Sequence, residues 1–142
     1  MKPVAYKIGN DLDLDAVIKL YNASTLGERR PVHSRKIMGD MIRHADLVVT
    51  AWDGDRLVGI ARTLTDFSYV AYLADLAVHR DYQRVGIGRA LLEHTRENLE
   101  DSCFITLLAA PKADDYYGKV GFERYSRAWV SLKDSSQPAD GS

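Results

Sequence analysis

Two glycines at the start of an expected helix are the clearest sign of chemistry in this 142-residue chain. Residues 76–92 read LAVHRDYQRVGIGRALL, which predicts a strand, a polar turn and a helix beginning near Gly86. The first amides of a helix lack partners within it, and the helix dipole adds positive potential there. Gly86 and Gly88 have no β-carbon to hold a ligand away from the backbone. The pattern predicts a diphosphate site, although a plain tight connection would look the same.

The turn differs from two common phosphate-binding motifs. It lacks the Gly-Lys-Ser/Thr ending of a Walker loop and the third glycine of a dinucleotide fingerprint. The amides from Gln83 to Arg89 would cradle the phosphates, and Arg84 and Arg89 would add charge at the rim.

Hydrophobic periodicity predicts one α/β domain over residues 1–133, with the element order β-α-α-β-β-β-α-β-α-β. A mixed, mostly antiparallel central sheet with helices on both faces is the natural packing. The polar, Pro- and Gly-containing tail at 134–142 is expected to be disordered. The predicted strands are Val4–Ile8, Leu47–Trp52, Leu57–Ala61, Tyr69–Val78, Phe104–Leu108 and Phe122–Leu132.

Composition excludes several classes of function. The net charge is −1, with 19 basic and 20 acidic residues, so no overall field favours nucleic acid or an anionic membrane. No apolar run is long enough to span a bilayer, and the N-terminus has no secretory pattern. With the single Cys103, these features favour the cytoplasm. The four histidines show no metal-like spacing with carboxylates or Cys103, so we expect no metal.

Two segments carry a family resemblance. Gln83-x-x-Gly86-x-Gly88 follows Leu76-x-Val78 and resembles the acetyl-CoA motif of the GNAT superfamily of N-acetyltransferases. Residues 116–122, YYGKVGF, resemble the Phe-Tyr-x-Lys-x-Gly-Phe segment of the same family. The resemblance covers about residues 4 to 132. It implies direct attack of a primary amine on acetyl-CoA in a ternary complex, without metal or enzyme nucleophile. Homodimers are common in such families, and Trp129 or the last strand could contribute an interface.

The resemblance also implies where acetyl-CoA binds. The backbone of Leu76, Ala77 and Val78 would pair with the pantetheine arm where this strand splays from its neighbour. In the turn formed by Gln83, Arg84, Val85, Gly86, Ile87, Gly88 and Arg89, the amides from Val85 onward would hold the pyrophosphate. Lys119 would lie near the phosphates, unless it belongs to a solvated helix face.

The family's usual acid falls on Tyr117, which would protonate the departing thiolate or hydrogen-bond its sulfur. Packing on the cofactor or core is the alternative, and Tyr116 is expected to pack in the core. No base is evident, since the comparable positions are Tyr72 and Ala74. Asp75 is adjacent and a bulge could aim it at the cleft. A structural role for Asp75, with deprotonation through water, is the preferred hypothesis. The family's Asn falls near Ala110 and is missing.

Acceptor specificity is expected from the loop around residues 25–38 and the strand ends near 66–72. Glu28, Asp66 and Tyr72 could attract a cationic amine, whereas Arg29, Arg30 and Arg35 could hold a carboxylate. A solvated loop explains the same residues. The competing function is a non-catalytic acyl-CoA sensor, or an interaction domain that shares the fold.

Overall fold

A computed structural model describes residues 3–134 of the chain. All but the first residue of the tail predicted to be disordered lie outside this range. The described chain contains five strands, four α-helices and short 3-10 turns, of which the one at Thr25–Arg29 shapes the site. The strands and helices are β1 Ala5–Ile8, α1 Leu14–Ala23, α2 Arg35–Arg43, β2 Leu47–Asp53, β3 Arg56–Thr65, β4 Val70–Val78, α3 Ile87–Glu97, β5 Phe104–Thr106 and α4 Asp114–Lys119.

The strands form one mixed sheet in the order β1-β2-β3-β4-β5. The first four are antiparallel neighbours, and β5 runs parallel to β4. The predicted Asp-Gly hairpin joins β2 to β3, and Gly54 at its tip has a φ of 59° that favours glycine. This arrangement confirms the predicted α/β fold with a mostly antiparallel sheet.

Apolar clusters cover both faces of the sheet. On one face, Leu91 of α3 packs with Val49 and Val58 of the sheet. On the other, helices α1 and α2 contribute Leu20 and Met38 against sheet residues such as Ile60. All of these side chains are buried, so the sheet is a central layer between helices, as the sequence predicts.

Gly59 sets how closely α3 approaches the sheet. A β-carbon at this position would lie 3.0 Å from Cδ1 of Leu91 and 3.2 Å from Cγ2 of Ile87. These contacts are tighter than normal packing allows, so only glycine lets α3 lie this close. The first turn of α3 is thereby held beside the end of β4.

The prediction of a last strand at Phe122–Leu132 is wrong. Within the described range these residues form no strand, and β5 is shorter than predicted. Phe122 packs against the cluster beneath α3, but Trp129 is 94% exposed and Tyr125 is 71% exposed. The start of the segment is also held by Arg124, which donates to the carboxylate of Asp114 on α4. Strand propensity reflects packing on a half-buried sheet, and the exposed part of this segment after Phe122 has no such contact.

A bulge interrupts β4 at Ala74. Arg62 of β3 faces Asp75 while Thr63 faces Leu73, which leaves Ala74 as an extra residue. Side chains that would share one face of a regular strand therefore lie on opposite faces of the sheet here. Leu73 packs in the cluster beneath α3, whereas Ala77 packs in the cluster beneath α1 and α2.

The same bulge turns Asp75 toward α1. Its Oδ2 accepts hydrogen bonds from the Tyr21 hydroxyl at 2.6 Å and from Nε of Arg62 at 2.5 Å. Its Oδ1 accepts from Nε of Arg30 at 2.6 Å, and Nη2 of Arg30 reaches the Ala74 carbonyl at 3.0 Å. The buried carboxylate thus joins α1, β3, β4 and the end of the 3-10 turn.

Burial alone would raise the pKa of Asp75. The guanidiniums of Arg62 and Arg30 and the Tyr21 hydroxyl outweigh that effect and hold the pKa below its ordinary value. Asp75 therefore stays ionised and paired at neutral pH.

We predict that Asp75→Asn destabilises the fold by about 3 kcal/mol, because it leaves buried guanidiniums without their counter-charge. The measurement is the free energy of unfolding from urea denaturation. Asp40→Asn is the matched control, since Asp40 forms exposed ion pairs on α2 and should change stability little. Equal, small effects of the two substitutions would contradict a structural role for Asp75.

Candidate active site

A cleft of about 730 Å³ follows the exposed edge of β4. One end is formed by the turn before α3, and the other by the 3-10 turn Thr25–Arg29. Helix α4 and the segment after β5 form the remaining wall. The predicted cofactor residues that line it are Leu76, Ala77, Val78, Gln83, Arg84, Gly86, Ile87, Gly88, Arg89, Tyr117 and Lys119. Val85 is the one predicted cofactor residue that does not line the cleft.

The turn before α3 has an unusual backbone. Arg84 and Gly86 have φ values of 67° and 90°, so both lie in the left-handed region. Nε2 of Gln83 donates to the Val78 carbonyl at 3.0 Å and holds the turn against the end of β4. Among the described residues, no group accepts a hydrogen bond from the amides of Ile87, Gly88 or Arg89. These free N–H groups at a helix N-terminus suit an anionic ligand.

Tyr116 lies close to this turn. A β-carbon on Gly88 would be 2.9 Å from the Tyr116 hydroxyl, so glycine makes room for the phenol. The ring is partly buried against the cluster beneath α3, as expected for a core residue. Its hydroxyl also lines the cleft end where the free amides lie, a role that sequence reasoning missed.

The edge of β4 that faces the cleft loses its neighbouring strand halfway along. β5 pairs only with Val70, Ala71 and Tyr72, and no described strand continues that edge. The carbonyls of Ala74 and Val78 accept hydrogen bonds from side chains there. Because alternate residues of a strand point their backbone groups to the same edge, Leu76 presents its N–H and C=O to the cleft. An extended ligand can pair with this strand.

Tyr117 lies on the opposite wall, on α4. Its ring contacts those of Tyr116 and Phe122 at centroid distances of 5.4 and 5.6 Å. Burial raises the pKa of Tyr117 to about 12; the neighbouring Tyr116 adds to this shift and Arg30 opposes it. The phenol therefore keeps its proton at neutral pH and can donate a hydrogen bond into the cleft.

Five of the residues predicted for catalysis or acceptor binding do not line the cleft: Glu28, Arg35, Asp66, Tyr72 and Asp75. Asp66 accepts hydrogen bonds from the amides of Ser68, Tyr69 and Val70, which closes the turn before β4. Asp75 has both carboxylate oxygens engaged in the buried cluster. These acids have structural partners, and neither borders the ligand space.

The cleft contains residues that sequence reasoning only partly identified. Arg29 and Arg30 were considered as carboxylate binders, and both line the end formed by the 3-10 turn. Leu73, Leu107 and Leu108 also line the cleft, but they look like ordinary strand residues in the sequence. Ala110 lies there too, at the position where the family's Asn is missing.

Comparison with known families agrees with the sequence motifs. A family model described as "Acetyltransferase (GNAT) domain" matches residues 21–131. The uncharacterized N-acetyltransferase ycf52 of Porphyra purpurea is 29% identical over 100 residues, covering 66% of this chain and 56% of the relative. The histone acetyltransferase TAP1 of Glycine max is 37% identical over 70 residues, covering 48% and 30%. The chain thus spans about half or less of the length of these relatives.

Solved structures share the fold. A GNAT family protein of Streptococcus pneumoniae is 24% identical, with a TM-score of 0.74 and coverage of 92% of this chain and 100% of that one. The ribosomal-protein-S18-alanine N-acetyltransferase of Escherichia coli is 23% identical, with a TM-score of 0.68 and coverage of 92% and 86%. At these identities the likeness concerns the fold alone.

No helix within residues 3–134 is both long and apolar enough to cross a bilayer. Across the same part of the chain, no cluster of three or more His, Cys, Asp or Glu side chains could hold a metal ion.

We predict that Gly86→Glu weakens CoA binding at least ten-fold more than Gly86→Ala does, as measured by titration calorimetry. Both substitutions strain the left-handed backbone at this residue, but only glutamate adds negative charge beside the free amides. Gly9→Ala also places a side chain at a positive φ, at the end of β1 and away from the cleft, and should leave the affinity unchanged. Equal affinities of the two Gly86 variants would remove the diphosphate assignment.

Proposed function

Because the chain belongs to the GNAT acetyltransferase family, we propose that it transfers an acetyl group from acetyl-CoA to a primary amine. The observation that carries this proposal is the open edge of β4 beside free helix amides, with a protonated phenol across the cleft. The transfer is a direct attack in a ternary complex, so no covalent enzyme intermediate is needed.

Acetyl-CoA lies along β4 in this proposal. The amides from Val85 to Arg89 hold the pyrophosphate, and Arg84 and Lys119 add positive charge nearby. The backbone groups of Leu76 pair with the pantetheine arm, while Ala77 and Val78 complete that strand edge. This binding mode uses the stretch of β4 that has β3 on one side but no described strand on the β5 side.

Tyr117 is the proposed acid. The neutral amine nitrogen bonds to the thioester carbonyl carbon, the carbon–sulfur bond breaks, and the phenol gives its proton to the departing thiolate. The phenolate regains a proton from water, and the acetylated nitrogen loses one to water. This assignment is supported by the protonated state of Tyr117 and its place on the cleft wall.

The amine is deprotonated through water. Asp75 is unsuited as the base, because its two oxygens accept three hydrogen bonds and its side chain is fully buried. Neither Tyr72 nor Glu28 lines the cleft. The cleft, with a volume of about 730 Å³, leaves room for water beside the amine.

Cys103 and Trp129 support proposals about the cellular location and the assembly of the protein. We place the reaction in the cytoplasm, because the single cysteine, Cys103, is buried and unpaired as in a reducing compartment. A homodimer that covers the exposed Trp129 is the proposed assembly.

We predict that the purified chain releases free CoA from acetyl-CoA with at least one member of a panel of primary amines. Tyr117→Phe should lower kcat at least ten-fold, with acetyl-CoA affinity within about three-fold, because it removes the proton donor. Tyr116→Phe is the matched control and should alter the KM for acetyl-CoA more than kcat. CoA binding without turnover of any amine would indicate a non-catalytic acyl-CoA sensor.

The pH dependence offers a second check on Tyr117. Because its raised pKa keeps the phenol protonated, kcat/KM for the amine should rise as the amine deprotonates and then level off through pH 10. The measurement is the initial rate of CoA release between pH 6.5 and 10. A decline with an apparent pKa between 8 and 10 that persists in Tyr117→Phe would assign the acid to another group. A decline that disappears in Tyr117→Phe would keep Tyr117 as the acid and contradict its raised pKa.

A further inference from the structure

The end of the cleft opposite the diphosphate turn has a cationic lining. Arg29 and Arg30 border it, and the acidic Glu28 beside them does not. Asp115 is the sole carboxylate-bearing residue that lines the cleft anywhere within the described chain, and it belongs to α4. This end therefore suits a ligand with negative charge better than one with additional positive charge.

Arg29 has an unsatisfied buried group. Its Nη1 atom is buried and has no hydrogen-bond partner within residues 3–134. A buried donor without an acceptor costs free energy, and more so when it carries charge. Arg29 also lines the cleft, so its guanidinium lies where it can donate to a ligand oxygen.

The backbone around Arg29 is fixed by the buried cluster. Nη1 of Arg30 donates to the Arg29 carbonyl at 2.9 Å, while Nε of Arg30 is bound to Asp75. Ser24 caps the start of the same 3-10 turn by accepting from the Leu26 amide. Arg29 therefore projects from a rigid turn and needs little ordering when it binds a ligand.

The arginine end of the 3-10 turn and the diphosphate turn contact β4 at different points. Arg30 bonds to β4 at Ala74, whereas Gln83 bonds to it at Val78. Four residues of strand separate these points by about 13 Å, at 3.3 Å per residue. Arg30 also acts on Tyr117: burial raises the pKa of that phenol, and Arg30 opposes the shift. The cationic end is thus the end with the proposed acid, where the acceptor amine must lie.

We propose that the acceptor is a small amine that also carries a carboxylate, and that Arg29 binds this carboxylate as a specificity-determining residue. The proposal rests on the acetyltransferase function proposed above. The planar guanidinium offers parallel N–H donors that match the two oxygens of a carboxylate. Polyamines and other amines with extra positive charge are selected against by the same residue.

The test compares amino acids with their carboxamides. CoA release is measured with α-, β- and γ-amino acids and with the carboxamide of each, and rates are compared per fraction of neutral amine. The variant is Arg29→Gln. The matched control is Arg35→Gln, which removes the same charge from a nearby exposed position that pairs with Asp15 and does not line the cleft.

The wild type should prefer at least one amino acid over its carboxamide by roughly ten-fold or more in kcat/KM. Arg29→Gln should reduce that ratio to near one and leave the KM for acetyl-CoA unchanged, while Arg35→Gln retains the preference. Arg29→Lys keeps the charge but not the paired donors, so an intermediate ratio is expected. Thermal melts establish that each variant is folded.

A preference for carboxamides or cationic amines, or a ratio unaffected by Arg29→Gln, overturns this inference while leaving the acetyltransferase function standing. Absence of CoA release with every amine is the distinct failure of that function. In that case calorimetry with CoA-loaded protein and N-acetyl amino acids still tests Arg29. Binding that is no weaker for the corresponding amides also overturns the inference.

Discussion

The ionised Asp75 carboxylate is the interaction on which the cleft depends. A buried carboxylate is stable only if it is paired and hydrogen-bonded, and here Tyr21, Arg62 and Arg30 meet that requirement together. This pairing occurs at the bulge at Ala74. It also brings α1 onto the sheet and ties the 3-10 turn to β4. The end wall of the cleft is therefore set by core electrostatics, although no ligand need touch Asp75.

The cleft itself is made of groups that the fold leaves unsatisfied. They are the free edge of β4, the amides at the start of α3 and a buried Arg29 nitrogen. The buried nitrogen costs stability because it has no acceptor, whereas the strand edge and the amides border an open cleft that water can enter. The apolar clusters on both faces of the sheet offset this cost. When a ligand replaces water at the strand edge and the amides, their hydrogen bonds contribute to binding.

The sequence predicts the parts of this site that depend on local pattern. Two glycines after an apolar strand predict the free amides before α3, because their effect needs only a helix start and missing β-carbons. The sequence does not determine which face of the sheet the Asp75 side chain occupies. A one-residue bulge decides this, and nothing in the β4 sequence marks Ala74 as the extra residue. The last strand was mispredicted for a related reason. Residues 122–132 have strand-like composition, but pairing depends on a sheet edge elsewhere in the chain.

In the proposed binding mode the two ends of the cleft recognise negative charge by different means, and this difference has a physical reason. Backbone amides at a helix start are fixed in direction and spread over a curved surface, which suits a diphosphate present in every turnover. They cannot be altered by substitution without disturbing the helix. A guanidinium on a short 3-10 turn is a side chain, so its replacement changes recognition while the turn stays tied to Asp75 through Arg30. Selectivity for the acceptor can therefore vary at Arg29 independently of the groups proposed to hold the acetyl donor.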